Sequence, residues 1–358
     1  MSMHILGLDI GGANIKLSDA DGNTSAIAFA MWTDYERLST TLKAHAAEFD
    51  TPDMIALTMT AELADCFESK QQGVDFVIDA VENAFHGIPV RVWLTTGEFA
   101  EPDDARELAS LVAAANWHAL ATWIGRAVPA GPAILIDVGS TTTDIIPLID
   151  GRPVPTGLTD MERLISGELV YSGVGRTPAC AIVQSVPLRD QPCPVAAESF
   201  ATIADALLVC EMLDEDPMAT DTADGRAFTR PYSLNRLAHL LCCDATELTE
   251  GELFLVAETI VDQAIANSVD AMTRVYDGLC QLHSNENTGV ESPAILLSGS
   301  GAFFADFVVG EFGVERFSDR MYLPEMFHKA VSESACAFAV ARLAHDRCRD
   351  DLLQVSAF

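Results

Sequence analysis

The sequence predicts an α/β protein of two domains, because one strand–turn–strand unit occurs twice along its 358 residues. The first copy spans residues 6–22 and the second spans residues 134–151. A domain commonly holds about 100–200 residues, so two domains fit this length. We therefore predict an N-terminal domain over residues 1–128 and a C-terminal domain over residues 129–358, the latter with a helical insertion.

The two copies match residue by residue. At an offset of 128 residues, Asp9 corresponds to Asp137 and Gly11 to Gly139. Each copy has a strand, a tight glycine turn, a second strand and a closing Asp-Gly pair, which is a strong hairpin signal between extended runs. A third extended segment, residues 25–30, completes the first copy.

Helices and strands alternate after each copy, which predicts a mixed sheet with helices packed on it. In the first half we expect helices at 34–49 and 74–85 and strands at 54–59 and 90–94. In the second half we expect helices at 197–211, 233–241, 247–276 and 327–344 and a strand at 294–298. The hinge should lie near residues 127–132, where prolines interrupt the pattern, and we expect the last helix to pack on the N-terminal domain.

The amino-acid composition argues against several classes of function. The net charge of −32 argues against binding to nucleic acid or anionic membranes. The apolar runs are too short to span a bilayer, and the start of the sequence lacks the basic residues and cleavage site of a signal peptide, so we expect a cytoplasmic location. The nine cysteines include no C-x-x-C pair and the eight histidines no H-x-x-x-H pair, which disfavours a zinc site. A phosphate ligand would need a local cation here.

The glycine turns have the composition of phosphate sites. Glycines let the backbone turn sharply and bring N–H groups close to phosphate oxygens, and an Asp at the strand end can hold Mg²⁺. A Walker A motif is absent, and a Rossmann turn would lead into a helix rather than a second strand. The turn residues that we expect at the ligand are Gly11, Gly12, Asn14, Gly139, Ser140, Thr141 and Thr142.

The two units resemble the phosphate motifs of actin, the heat-shock chaperone ATPases and the sugar kinases. The segment ending in Gly299, Ser300 and Gly301 resembles the adenosine motif of that superfamily. The resemblance implies duplicated ribonuclease-H-like domains with a ligand in the cleft between them. Asn14 departs from the pattern, because kinases of this fold often carry Ser or Thr there, and this weakens the ATP interpretation.

A closer resemblance is to the hydantoinase/oxoprolinase branch, and it covers nearly the whole chain. It rests on the second turn with the segment following it, on Thr58–Phe67 and Asn116-Trp117, and on the Asp160-x-x-Arg163 spacing. These segments resemble proteins linked to tetrahydromethanopterin-dependent one-carbon transfer, whose archaeal members are similar to a furanylmethanamine synthase of methanofuran biosynthesis. That resemblance implies a transferase that joins an aminomethyl-furan methyl diphosphate to the phenol oxygen of a γ-glutamyl-tyramine-type acceptor.

The implied reaction releases diphosphate and uses Mg²⁺ but no ATP. In this interpretation the metal is held by three carboxylates, those of Asp9, Asp137 and Asp144. Lys16 and Arg176 supply positive charge to the leaving group. A general base would help the phenol to attack, and the candidates left open are Glu62, Asp160 and Glu168. Further residues expected at the substrates are Thr60, Lys70, Tyr171, Gly299, Ser300 and Gly301.

Two alternatives stay open at this point. One is an ATP-dependent kinase or hydrolase of the same fold, in which the loop at Gly299 would contact adenosine. The other is a non-enzymatic protein whose binding is gated by a nucleotide. Small-molecule partners are expected in each enzyme interpretation, and a homo-oligomer is compatible with the sequence.

Overall fold

Two mixed β-sheets form the framework of the protein. The computed structural model describes residues 3–286 and 292–355. The strands are β1 (Ile5–Ile10), β2 (Asn14–Asp19), β3 (Thr24–Ala28), β4 (Met54–Met59), β5 (Val90–Trp93), β6 (Phe99–Ala100), β7 (Pro132–Val138), β8 (Thr143–Ile149), β9 (Arg152–Pro153), β10 (Leu169–Val170), β11 (Ser185–Leu188), β12 (Gln191–Pro194), β13 (Ala294–Ser298) and β14 (Arg320–Tyr322).

The two large sheets share one plan. The first has the order β3-β2-β1-β4-β5-β6, and the second has the order β10-β8-β7-β13-β14, with β9 paired to β8. In each, the first strand pairs antiparallel with the second and parallel with a later strand on its other side. Asp9 lies opposite Lys16, and Asp137 lies opposite Asp144, so the two repeats have the same register.

Helices cover the sheets and connect their strands. They are α1 (Met31–Asp34), α2 (Leu38–Ala46), α3 (Lys70–Ala84), α4 (Pro102–Glu107), α5 (Ala109–Val112), α6 (Asn116–Ile124), α7 (Asp160–Ser166), α8 (Ala179–Ile182), α9 (Ile203–Val209), α10 (Arg230–Leu240), α11 (Glu250–Glu286), α12 (Ala302–Phe312), α13 (Leu323–Met326), α14 (Lys329–Glu333) and α15 (Ala335–Val355). No helix in the described ranges is both long and apolar enough to cross a membrane.

The final helix returns to the first sheet. Helix α15 packs against β1, β2 and β4, although it follows the strands of the second sheet in the chain. The approach is close at Gly7, where an added Cβ would lie 2.1 Å from the carbonyl oxygen of Ala337. Ala337 and Ala341 are fully buried. Small residues on both surfaces therefore let the helix backbone lie directly on the strand.

Several predicted helix ends differ from the observed ones. The helix expected over 197–211 is only α9, because the backbone of Ala196 bonds to Leu240 and that of Ala201 bonds to Ala179 before the helix begins. The N–H of Thr202 then donates to the Asp205 carboxylate and caps the helix start. The helix expected over 327–344 is divided into α14 and α15 at Ser334, whose φ of −114° and ψ of 27° depart from helical values.

Candidate active site

A cavity of about 590 Å³ lies between the two halves of the chain and receives side chains from both. Residues of the first half that line it come from the first glycine turn, the end of β4 and the start of α6. Residues of the second half come from the second turn, helix α7 and the loop after β10. The predicted site residues that line it are Gly12, Thr60, Glu62, Thr141, Thr142, Asp144, Asp160, Tyr171 and Arg176.

Each glycine turn is closed by the same backbone bond. The N–H of Gly11 donates to the carbonyl of Asn14, and the N–H of Gly139 donates to the carbonyl of Thr142, both at 2.9 Å. A Cβ added at Gly12 would meet no atom within 4 Å, so this position leaves open space beside the turn. The duplicated sequence thus produces two equivalent turns, one from each sheet, that reach one cavity.

The two aspartates that precede the turns lie outside the cavity lining, and Asp9 is buried while Asp137 is half-buried. One carboxylate oxygen of Asp9 and one of Asp137 is buried without a hydrogen-bond partner. Burial raises the pKa of each to about 6, Asp144 adds to this rise, and Lys16 opposes it. Two such carboxylates would be stabilised by a cation, because a positive charge offsets the loss of hydration.

Asp144 differs from the expectation that it binds a metal. One of its carboxylate oxygens accepts a hydrogen bond at 2.6 Å from Arg163, a residue only 1% exposed. The same guanidinium donates to the Glu168 carbonyl at 3.1 Å and lies 4.1 Å from the ring centroid of Trp117. Asp144 therefore has a buried arginine as its partner, and the same arginine lies 3.7 Å from Asp160.

Asp9 and Asp137 could provide some of the ligands of a metal ion. Within the described ranges, no group of three or more His, Cys, Asp or Glu residues lies close enough to hold an ion by itself. The free oxygens of Asp9 and Asp137 fit Mg²⁺ nevertheless, because this ion usually keeps several waters and takes only one or two protein carboxylates. The remaining positions would go to water and to phosphate oxygens of a substrate.

Glu62 is the carboxylate of the cavity wall that is best placed to move a proton. Its side chain is 1% exposed, and one oxygen has no hydrogen-bond partner. Burial raises its pKa to about 7, with Asp160 adding to the rise and Lys70 opposing it. Gly73 allows this placement, since a Cβ there would lie 2.2 Å from the Glu62 carbonyl oxygen.

The other two carboxylates proposed as bases have different surroundings. Asp160 lines the cavity, and burial raises its pKa, while Lys70 and Arg163 oppose that rise. Glu168 does not line the cavity, because its oxygens accept from the backbone N–H groups of Thr156 at 2.5 Å and Gly157 at 3.1 Å. The role as a base that the sequence left open for Glu168 is therefore not supported, and this residue anchors the loop before α7.

The loop that resembles an adenosine motif packs against the strand before the second turn. The N–H of Gly301 donates to the Val138 carbonyl at 2.8 Å, and a Cβ at Gly299 would lie 2.9 Å from an Asp137 oxygen. The predicted site residues outside the cavity lining are Asp9, Gly11, Asn14, Lys16, Lys70, Asp137, Gly139, Ser140, Glu168, Gly299, Ser300 and Gly301. Several of these, including Asp9 and Asp137, lie directly behind the turns.

Sequence reasoning missed the roles of three cavity residues. Arg163 appeared only as part of a motif, although its spacing from Asp160 places both on one face of a helix. Trp117 also appeared only as part of a motif, and it is buried but lines the cavity next to Arg163. Trp32 carried no signal, because a single aromatic residue after a strand has no characteristic spacing.

The fold and this cleft define the class of the protein. Residues 53–347 match the hydantoinase/oxoprolinase family, and the chain belongs to that family. The nucleotide-free structure of acetone carboxylase, an enzyme of ATP-dependent acetone carboxylation, aligns over 95% of this chain and 70% of its own, with a TM-score of 0.54 and 12% identity. The predicted fold class, an α/β protein with the duplicated actin-like architecture, is confirmed.

Two synthases from methanogens are similar to this chain in sequence. The chain is 33% identical over 349 residues to a (4-{4-[2-(gamma-L-glutamylamino)ethyl]phenoxymethyl}furan-2-yl)methanamine synthase of Methanocaldococcus jannaschii, covering 96% of this chain and 98% of that protein. It is 30% identical over 210 residues to the synthase of the same name from Methanococcus vannielii, covering 59% of this chain and 89% of that protein. Relatives that are synthases imply that this chain is an enzyme, and the predicted resemblance is confirmed.

Proposed function

We propose that this enzyme joins a furanylmethyl diphosphate to the phenol oxygen of a phenolic amine acceptor of the γ-glutamyl-tyramine type and releases diphosphate. The product named for the relatives contains a phenoxymethyl group on a furan, which is an ether between an aryl oxygen and a furanylmethyl carbon. Forming that ether by displacement requires a leaving group on the carbon and a base for the phenol. Both requirements match residues of the cleft.

The observation that carries the proposal is the set of residues that line the cavity between the halves. The first glycine turn, the second turn and Arg176 lie on its lining together with Glu62 and Asp160. The Arg176 guanidinium and the backbone N–H groups of the two turns can stabilise a departing diphosphate, because hydrogen-bond donors aimed at developing negative charge stabilise a transition state. Glu62 suits the acceptor, because a general base works best with a pKa near the operating pH.

The reaction is balanced without an oxidant or a nucleotide. The bond between the furanylmethyl carbon and the diphosphate oxygen breaks, and its electron pair leaves with the diphosphate. The phenol oxygen bonds to that carbon, and its proton passes to Glu62. Positive charge on the carbon is stabilised by the ring oxygen of the furan, so stabilising the leaving group is the main demand on the protein.

The remaining cleft residues bind and orient the two substrates. Asp9 and Asp137 would hold Mg²⁺, which when bound neutralises the diphosphate oxygens. Arg176 adds a second positive charge, which unlike that of the metal ion is part of the protein. Tyr171 lies at the rim with 62% of its surface exposed, and it offers an aromatic surface to the furan or phenol ring. Asp160 offers a carboxylate to an amine of either substrate.

The test supplies a furanylmethyl diphosphate and a tyramine-type acceptor with Mg²⁺ and no nucleotide. We expect release of diphosphate and formation of the ether in equal amounts, measured by a phosphate assay after pyrophosphatase and by mass spectrometry. Addition of ATP should change neither rate. If ether forms only when ATP is present and ATP is consumed, an ATP-dependent kinase or hydrolase replaces this proposal.

A further inference from the structure

Arg176 carries a positive charge to the cavity wall of an acidic protein. The chain has 53 Asp and Glu residues against 21 Lys and Arg, so most cations have carboxylates near them. The guanidinium of Arg163, which lines the same cavity, is paired with Asp144 at 2.6 Å. In the described part of the chain, by contrast, Arg176 forms no ion pair with a carboxylate. Some other contact must hold its side chain at the cavity.

That contact is with Trp32, which belongs to the other half of the protein. The central guanidinium carbon of Arg176 lies 4.7 Å from the centroid of the Trp32 ring. Both residues line the cavity, and Trp32 remains 41% exposed. A guanidinium stacked on an aromatic face is attracted to the ring while its N–H groups stay in its own plane. The stack therefore holds Arg176 without using the donors that an ion pair would occupy.

Each member of this pair is tied to one glycine turn. The N–H of Met31, the residue before Trp32, donates to the Gly12 carbonyl at 2.9 Å. The N–H of Arg176 itself donates to the Ser140 carbonyl at 2.8 Å. The pair is thus the point at which side chains attached to the two turns meet across the cleft.

We propose that Trp32 is a positioning residue that holds the Arg176 guanidinium over the diphosphate site. The inference rests on the proposed function for the nature of the ligand and on the cross-cleft contact for the role of Trp32. With the stack in place, the free donors of Arg176 face the cavity and are ready for phosphate oxygens. Without the ring, the arginine side chain samples other rotamers and turns toward the many carboxylates of the surface.

The test measures binding of inorganic diphosphate with Mg²⁺ by titration calorimetry. We expect W32A to bind about twofold to fivefold more weakly than the natural protein, the range for an exposed cation–π contact. W32F keeps an aromatic face and should lie within about 1.5-fold of the natural protein. The control is Y232A, which removes the ring of the exposed Arg226–Tyr232 pair outside the cavity and should leave binding unchanged.

A double-mutant cycle separates positioning from a general loss of structure. If Trp32 acts through Arg176, W32A should weaken binding no further in a background that already carries R176A. Additive losses in W32A/R176A, or W32A binding equal to the natural protein, would overturn the proposal, as would the absence of diphosphate binding in the natural protein. Weaker binding by W32A together with no ether formation by the natural protein would retain the positioning role and refute the proposed reaction.

Discussion

Glu62 and Glu168 are both 1% exposed, but their carboxylates have opposite surroundings. Two backbone N–H groups donate to Glu168, which fixes the position of its carboxylate. Glu62 has an oxygen without a partner and faces the cavity, so burial raises its pKa to about 7. Burial destabilises the charged form of Glu62, and the carboxylate therefore binds a substrate proton more strongly than an exposed carboxylate would.

At the residue scale we predict that Glu62 controls the pH dependence of turnover. The base must be deprotonated, and its pKa is raised, so kcat/KM should increase tenfold per pH unit below pH 7 and level off above it. Substitution E62Q should lower kcat by about 10²–10⁴-fold and remove this rise. A stopped assay of ether formation between pH 5.5 and 8.5 measures both effects.

The matched control for this prediction is D65N, which changes an exposed carboxylate on the same cavity lining. Its rate and pH profile should match those of the natural protein. A profile of E62Q that still rises through pH 7 would assign the proton transfer to another group, with Asp160 the next candidate.

The surroundings of the carboxylates in and near the cavity could be predicted from the sequence only in part. The repeat alone placed Asp9 and Asp137 at equivalent strand ends, because register follows from the paired turns. The repeat could not show that Arg163 forms an ion pair with Asp144, because that contact depends on where helix α7 packs. Nor could it separate Glu62 from Glu168, because the difference lies in backbone groups contributed by another loop.

At the scale of elements, the loop after β10 is held against the second turn by glycines. A Cβ at Gly173 would lie 2.3 Å from the Gly139 carbonyl oxygen and 2.6 Å from backbone atoms of Ser140 and Thr141. The N–H of Val174 donates to that same Gly139 carbonyl at 3.0 Å. Direct backbone contact, with no side chain between, therefore sets the position of Arg176 relative to the turn.

We predict that G173A pushes this loop away from the turn. The contact is with backbone, which cannot rotate aside, so the free energy of unfolding should fall by about 1–3 kcal/mol. Diphosphate binding should weaken as well, because Arg176 moves with the loop. Urea unfolding and titration calorimetry measure the two quantities.

A second glycine provides the comparison for this prediction. Gly278 lies in α11, where an added Cβ meets no atom within 4 Å. G278A should raise the free energy of unfolding by about 0.5–1 kcal/mol, because alanine loses less backbone entropy in a helix. Equal stabilities for G173A and the natural protein would show that the loop shifts freely and that the close approach is unimportant.

Elements were predictable where local pattern and tertiary packing agree. The strands at 54–59 and 294–298 have the observed bounds of β4 and β13, because continuous apolar runs fit a strand covered on both faces. The helix over 197–211 was too long because its first residues bond to other segments, which is information that no local window contains. The division of the chain at residue 128 stays a prediction.

At the scale of the whole molecule, a net charge of −32 surrounds a site proposed for an anion. The screening length is about 30 Å at 0.01 M salt and about 8 Å at 0.15 M. Surface charges therefore repel an approaching diphosphate strongly in dilute buffer and weakly at physiological salt. Once bound, the ligand meets Arg176 and the turns at short range, where screening matters less.

We predict that salt accelerates the binding of Mg-diphosphate, the reverse of the usual behaviour of phosphate sites. The association rate constant, followed by stopped-flow tryptophan fluorescence, should rise severalfold between about 0.01 M and 0.15 M salt. A cationic tyramine-type acceptor is the internal control, and its association should slow over the same range. An association rate for diphosphate that falls with salt would mean that local positive charge governs the approach.

The packing of α15 on β1 also has a consequence for biosynthesis. The ribosome makes β1 first, yet the surface of Gly7 is covered by Ala337 and Ala341, which are added only after both sheets have been translated. Until then the nascent first sheet exposes an apolar face that aggregates readily. The half that is synthesised first should thus be the last to reach its native state, and a chaperone would be needed for it most during translation of the second half.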